Sequence, residues 1–556
     1  MRNNLKYVAV ACGLMFGLSA CVQDLNTEPI DKNSATAFNQ DAVFSKCYAT
    51  LATTGQKGPD GDCDIDDLDE GTSSFYRMMW ELNEFGTDEG WWIWNDVGLA
   101  DIRVMNWNGD NALVKGLYYR LNIDIKICNH FLYNTEGATD EKTLQQRAEV
   151  RFIRAFNYWY LLDMFKVAPF STTESSELPE FVERPALYEW LVGELKELTE
   201  ILPEERLSIY RIDKYAAWML LARTYINAEV YTGKPAWEEA KDAADKAMSG
   251  PYQLHKKSIT SAEGIKYSAY QQLFMGDNHK NGAQQEIMLL AYQDGVYCQS
   301  WGGSRFLVNM VRDADMVPAG SADTWKCFRS SPEFIYKFVD EETAPTIKAD
   351  EYQMPALLGD DRAIMCSYVD ANSTDSLAKK SWKLTGTQTA EFYDCWAVLK
   401  FTGVPSTADR PSKAVTTDPN WPDTDLPWLR VAEAYMIKAE ALFRLGDKNG
   451  ALAIINNDIR SRANAAPLTD LDEATLCDEY CREFYCEGHR RSDLVRFNRF
   501  AGPQADNNRY NWEGRAGKNS GENNFASTDE KWNWYPIPND DKASNKNYAT
   551  TQGDGY

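Results

Sequence analysis

A mostly α-helical protein is predicted, in which an array of tetratricopeptide-like helical hairpins supports an irregular, loop-rich ligand-binding lobe. Three observations carry that prediction. Apolar residues recur at spacings of three and four in several separate segments, and two such segments meet at a Gly-Asp junction. From Pro251 to Asp425 runs a long stretch of Gly, Ser, Thr, Asn, Asp and aromatic residues with no sustained helical period. Each stripe is an apolar face that one helix cannot bury alone, so the hairpins must stack on one another.

The chain opens with Arg2 and Lys6, an apolar run from Tyr7 to Phe16, and then Leu18, Ser19, Ala20 and Cys21. The run is too short to span a bilayer and reads as the core of a secretory signal over residues 1–20. Small residues before a cysteine have the form of a bacterial lipobox, with cleavage after Ala20 and lipidation of Cys21. An ordinary signal with an incidental cysteine is the alternative. Several acyl chains on one residue would anchor the protein at one end. Residues 21–556 then form a single unit, with the helical scaffold mainly at 110–250 and 428–500 and the irregular lobe mainly at 55–108 and 251–425. Gln23 to Ala37 reads as an extended tether.

In the first part of the scaffold, Ala148, Phe152, Ala155, Trp159 and Leu162 form one stripe, and Leu187, Leu191, Leu195, Leu198 and Leu202 a second. Tyr215, Met219, Ala222 and Ile226 form a third, joined through Gly233 and Pro235 to Trp237, Ala240, Ala244 and Ala247. In the second part, Leu429, Ala432, Met436, Ala439 and Phe443 define a helix that Gly446 can end. Asp447 can cap the next, which carries Leu452, Ile455 and Ile459.

The formal charge is −25, and loss of Arg2 and Lys6 with the signal takes it to −27. Such a surface repels phosphate backbones and anionic lipid, which argues against nucleic acid and favours neutral ligands. Of twelve cysteines, those outside the signal and the lipid site show no disulfide-framework spacing and read as small buried hydrophobes. Cys477, Cys481, Cys486 and His489 could in principle ligate zinc, but the spacing is wrong for a metal knuckle, and Cys477 and Cys481 fit the apolar side of a helix. No G-x-S-x-G or H-E-x-x-H occurs, and the four histidines form no persuasive pair. A glycoside hydrolase would need two carboxylates about 5–10 Å apart. Asp69, Glu70, Asp88, Glu89 and Asp96 keep that reading open.

Eighteen Trp and twenty-nine Tyr exceed what the core requires, and the densest cluster is Trp91, Trp92 and Trp94. In an extended stretch Trp92 and Trp94 point to one side and offer a flat platform for the C–H faces of pyranose rings. A pair of core tryptophans beneath a loop is the alternative.

The block REFYCEGHRRSDLVRF, ending at Phe497, with YPIP at Tyr535–Pro538 and the closing GDGY, resembles the signature of the SusD/RagB family of Bacteroidetes surface glycan-binding lipoproteins. TGQKGPDGD from Thr54, DEGTSSFYR from Asp69, DEGWWIW from Asp88, QDGVYCQSWGGS from Gln293 and DTWKCF from Asp323 are similar in order and spacing to the family's starch-binding founding member. The resemblance implies a non-catalytic protein on the outer face of the outer membrane that captures starch or malto-oligosaccharides. By motif match, Trp94, Trp301 and Trp325 form an aromatic arc, with Trp92 beside it and Arg77 bonding hydroxyls. Trp301 stands where the relative has a tyrosine; Val97 stands where an asparagine is expected, so Asn95 or Asp96 would substitute. An α-1,4-glucan is already coiled, and a concave set of rings meets it at little ordering cost.

The same resemblance implies a SusC-like TonB-dependent transporter as partner, over whose mouth the chain would sit. It also places Asp277, Asp423 and Asp425 near a structural Ca²⁺, with solvated turns as the alternative. Glu483, Glu487, Arg490, Arg491 and Asp493 are expected to form a buried ion-pair network tying the last helix to the array. A different neutral glycan on the same fold, a glycoside hydrolase, or peptide binding on the helical array are the competing readings.

Overall fold

The stripes become helices in a computed structural model that describes residues 37–55, 63–66, 68–92, 94, 96–312, 319–339, 358–366, 396–409, 417–503, 529–550 and 553–556. The signal segment, Cys21, Asn95 and nearly all of the Gln23–Ala37 stretch lie outside these residues. The chain divides into Met1–Val43 and a main unit, Phe44–Tyr556, which holds the elements that build the site.

Within the main unit the scaffold begins with α2 (Ala112–Asn134), α3 (Glu141–Met164), α4 (Arg184–Ile201), α5 (Lys214–Ile226) and α6 (Trp237–Met248), after a short α1 (Phe75–Glu84). Side chains suited to helix starts supply their caps. Asn111 accepts from the amides of Leu113 and Val114, Asp140 from Thr143, and Asp213 from Tyr215 and Ala216. The second part holds α8 (Val431–Arg444), α9 (Lys448–Ile454), α10 (Glu473–Phe484) and α11 (Arg490–Arg496). Gly446 and Asp447 separate α8 from α9 as the sequence indicates, and Asp447 caps α9 through the amide of Gly450. A π-helical turn, Ile455–Arg460, prolongs α9 and buries Ile455 and Ile459.

Successive helices pack in a row from α2 to α6, and α6 closes onto α8 although the whole lobe intervenes in sequence. The stripes face inward: Phe152, Ala155, Leu162, Leu191, Leu195, Leu198, Met219, Ala222, Ala240 and Ala244 are buried. The protein is thus mostly helical. Its strands are short pairs, among them β2 (Ile287–Ala291) against β4 (Leu426–Arg430), antiparallel, with Leu426 opposite Ala291 and Arg430 opposite Ile287.

One element departs from expectation. Helix α1 falls inside the segment predicted to be irregular, yet all ten of its residues are buried and Ser74 caps it through the amide of Arg77. Phe75, Met78, Met79 and Leu82 do stand at i, i+3, i+4 and i+7, with Arg77, Glu81 and Glu84 off that face, but the stripe spans under three turns amid Gly-, Asp- and Ser-rich sequence, so the segment reads as irregular.

The charged signature is a buried network. Arg430 at the end of β4 bonds Glu286 at 2.7 Å, Glu483 at 3.2 Å and both oxygens of Glu487 at 2.7 and 2.8 Å. Arg462 joins Glu286 to Glu483, Lys400 from the lobe reaches Glu487 at 2.7 Å, and Arg362 from the lobe reaches Glu479 at 2.8 Å. All of these groups are shielded from water. Cys477 and Cys481 lie on the buried side of α10, and His489 stacks on Phe484 at 4.9 Å. The described cysteines are free thiols, and no described helix is long and apolar enough to cross a membrane.

Not every buried charge is so well matched. Asp124 in α2 is fully buried, and burial pushes its carboxyl up from 3.8 to about 8 despite the pull of Arg120 and Lys46. Its folded value lies above the unfolded one, so its contribution to stability is complete below about pH 4 and is lost as pH rises through about 8. Thermal unfolding between pH 5 and 9 should therefore show a decline that Asp124→Asn flattens; an unchanged slope in that variant assigns the decline to other groups.

Candidate functional site

Three remote segments converge because a small strand pair forces them together. β1 (Gly90–Trp92) runs antiparallel to β3 (Phe328–Ser330), with Trp92 opposite Phe328. The chain leaves β1 toward Trp94 and enters β3 from Trp325, so both tryptophans sit at the same end of the pair. Their ring centroids are 6.1 Å apart with planes inclined by 38°. Gly90 is required here, because a Cβ would lie 2.3 Å from the carbonyl oxygen of Arg329.

Trp301 is delivered by helix α7 (Ser304–Asn309), which follows it directly. The end of that helix holds the Trp325 segment: Asn309 O accepts from Trp325 N and Met310 O from Phe328 N, each at 2.9 Å. Trp301 and Trp325 lie 6.4 Å apart with planes inclined by 21°. Gly302 lets the turn press on the start of α1, since a Cβ there would overlap Ser74 Oγ at 1.9 Å. Trp94, Trp325 and Trp301 thus form one row. Trp94 is 37% exposed and the other two are partly exposed.

Two expected neighbours lie under the row rather than on it. Trp92 is 4% exposed, packed on Phe85 and Phe306 and edge-on to Trp94 at 81°. The chain bends out of the strand at Trp94, so the two-residue alternation fails and the flat Trp92–Trp94 platform does not form. Arg77 is also buried. Its Nε bonds Glu81 at 2.8 Å, and its guanidinium lies over Phe306 at 4.8 Å and near Trp92 at 5.8 Å.

Asp96 stands at the edge of this layer. Its Oδ2 accepts from Trp92 Nε1 at 2.9 Å and lies 3.7 Å from Arg77, while its side chain stays 37% exposed. Burial raises the Asp96 carboxyl, against the pull of Arg77 and the Trp92 N–H. Val97 is well exposed nearby in sequence. At the opposite end Trp421, which sequence reasoning missed, meets Trp301 edge-on at 5.1 Å.

The aspartates expected around a cation are not gathered into one ligand set. Asp277 accepts from Ser406 N and Oγ at 2.8 Å and from Asn281; Asp423 accepts from Gly295 N and Thr417. Asp425 is buried against Gln293 N and Tyr210 OH. Protein donors occupy all three carboxylates, and no metal-holding group of three or more His, Cys, Asp or Glu occurs among the described residues.

The chain is 36% identical to the starch-binding protein SusD of Bacteroides thetaiotaomicron over 98% of its own length and 98% of that protein's. It belongs to the SusD family. The SusD family model matches residues 287–556, which include the charged signature. A SusD-like carbohydrate-binding protein from Bacteroides fragilis shares the fold, with a TM-score of 0.63 at 17% identity, covering 91% of this chain and 98% of the other. A SusD superfamily protein from Bacteroides vulgatus matches with a TM-score of 0.62 at 17% identity over 91% and 97%.

In this SusD-family chain the signature block is what holds the tryptophan loop. Arg490 grips Asp88 through both oxygens at 2.6 and 2.8 Å, and Lys337 bonds the same carboxylate at 2.8 Å. Burial opposes ionisation of Asp88, but these two cations hold its carboxyl far below the usual range. Glu89 accepts from Cys486 N at 2.9 Å, and Glu84 from Gly488 N at 2.5 Å. Asp88→Asn strands two buried cations and should cost about 3–5 kcal/mol in urea unfolding. Trp94→Ala, at the exposed row, should cost under about 1 kcal/mol; equal losses in the two variants would refute this division between support and surface.

Proposed function

We propose that the protein is a non-catalytic, lipid-anchored cell-surface binder that captures starch or malto-oligosaccharides on the row of Trp94, Trp325 and Trp301. The observation that carries this reading is the row itself: three indoles from distant segments meet at the surface with successive planes tilted by 38° and 21°. Indole faces desolvate the C–H patches of pyranoses, and an inclined set suits a coiled chain better than a flat one. The relation to a protein named for starch binding favours α-glucan over other neutral glycans.

Lipidation of Cys21 would tether it at the outer membrane, facing the cell exterior. A SusC-like TonB-dependent transporter is the partner that would receive the glycan. That partnership predicts co-purification with a large outer-membrane barrel after detergent extraction; repeated isolation of the chain alone from mild detergent argues against it.

Binding without cleavage is supported by the state of the carboxylates next to the row. Asp96 is engaged by Arg77 and the Trp92 N–H, and Asp323 by Arg305, so each carboxylate beside the row is committed to a protein partner. Purified protein incubated with maltoheptaose is expected to release no shorter sugars.

Each stacked ring contributes on the order of 1 kcal/mol, so association costs leave roughly micromolar to millimolar affinity. In affinity electrophoresis against amylopectin, pullulan, dextran, inulin and xyloglucan, retardation is expected on the α-glucans amylopectin and pullulan. Single Trp94→Ala, Trp301→Ala or Trp325→Ala substitutions should weaken it about fivefold to tenfold. Asp493→Asn, which touches only the scaffold pair with Arg496, should spare it. Unchanged amylopectin retardation in a folded triple variant would remove the row from the binding site.

A further inference from the structure

A second arginine behind the row is built like the first, and its carboxylate has no assigned role. Arg305 in α7 is almost wholly buried, with 7% of its side chain exposed. Its guanidinium lies 3.8 Å from the centroid of Trp301 and 4.4 Å from that of Trp421, so it packs against both indoles of an edge-on pair. Arg305 Nη2 bonds Oδ2 of Asp323, two residues before Trp325. Asp323 itself is 37% exposed, and no bond to its Oδ1 occurs among the described residues.

An isolated ion pair of this exposure stabilises a fold little. The geometry does something more specific. A planar guanidinium held by two rings cannot swing, so the carboxylate it grips is fixed beside Trp301 on a segment that also carries Trp325. The oxygen left over is a hydrogen-bond acceptor at the junction of two stacking surfaces. Sugar hydroxyls are the donors that such a position meets, and a hydrogen bond to a charged acceptor is about twice as strong as a neutral one.

We propose that Asp323 is a hydroxyl-binding residue of the glycan site and that Arg305 is the positioning residue that aims it. This rests on the reading of the tryptophan row as a glycan site. Trp94 and Asp96 then form one end of the site, and Trp301, Trp325 and Asp323 the other, each end pairing a stacking face with a carboxylate anchored through one oxygen.

The test is calorimetric titration of maltoheptaose into the full mature chain, with unfolding temperatures measured alongside. Asp323→Ala should weaken binding about tenfold with unfolding still a single cooperative transition, its midpoint lowered because the buried Arg305 loses its counter-charge. Arg305→Met should give a similar loss, and the double variant should be no weaker than the worse single one, since the two act as one device. A merely structural role for the pair would lower the unfolding temperature without this shared, non-additive loss of affinity.

Wild-type affinity in Asp323→Ala overturns the proposal, as do fully additive losses in the double variant. Should Arg305→Met not fold, Asp323→Ala decides alone. A wild-type chain that binds no maltoheptaose overturns the glucan reading and this inference together, whereas a binding wild type with an indifferent Asp323→Ala overturns only the inference.

Discussion

The tryptophan row depends on a buried electrostatic tie between Arg490 and Asp88. Asp88 lies two residues before β1, Arg490 begins α11, and more than four hundred residues of chain separate them, so the pair fixes the start of the strand onto the end of the helical array. From there the constraint passes through backbone hydrogen bonds alone: β1 to β3, β3 back to the Trp325 segment, and that segment to the end of α7 below Trp301. Buried ion pairs of this kind owe their value to completeness, because one missing partner leaves an uncompensated charge. Here both Asp88 oxygens are taken, with Lys337 as a second cation.

The wider network extends the same logic across the protein. Glu286, Arg430, Arg462, Glu483 and Glu487 come from β-strand flanks and scaffold helices, while Lys400 and Arg362 come from the lobe. An apolar interface between lobe and array could slide by a turn at modest cost; interlocked forks of arginine on carboxylate cannot. Holding the row rigid matters for a weak binder. A surface assembled before the ligand arrives spends little of its few kcal/mol on ordering itself.

What the sequence made legible follows from which signals are periodic or one-sided. The stripes of α3 to α6, α8 and α9, the Gly446–Asp447 junction and the buried charge block could be read because each leaves a repeating or clustered pattern. Helix α1 is passed over although Phe75, Met78, Met79 and Leu82 stand at helical spacing, because so short a stripe is outweighed by the Gly-, Asp- and Trp-rich sequence around it. Trp94, Trp301 and Trp325 were identified by resemblance to motifs, not by any local rule. Strand alternation extended past the bend at Trp94 puts Trp92 on one face with it, whereas Trp92 lies beneath the row; and a motif names Arg77 without saying on which side of a ring it lies. Arg305 and Trp421 leave no trace of their own: one stands four residues after Trp301, the other far along the chain, and only the fold makes them neighbours.

The placement of charge at the row also bears on which glycans it can accept. Both cations near the rings, Arg77 and Arg305, are hidden behind them and neutralised by Glu81 and Asp96 in one case and Asp323 in the other. What reaches solvent beside the indoles is therefore carboxylate, on a chain whose formal charge is −25. Hydroxyl hydrogens are attracted to those acids, whereas a uronate or sulfated sugar would have to bring its own anion against them. Stacking alone would not discriminate, because the C–H face of a galacturonate is as apolar as that of a glucose. Under the proposed function, selectivity for neutral chains would come from the exposed acids, and shape selectivity for coiled ones from the tilt between successive rings.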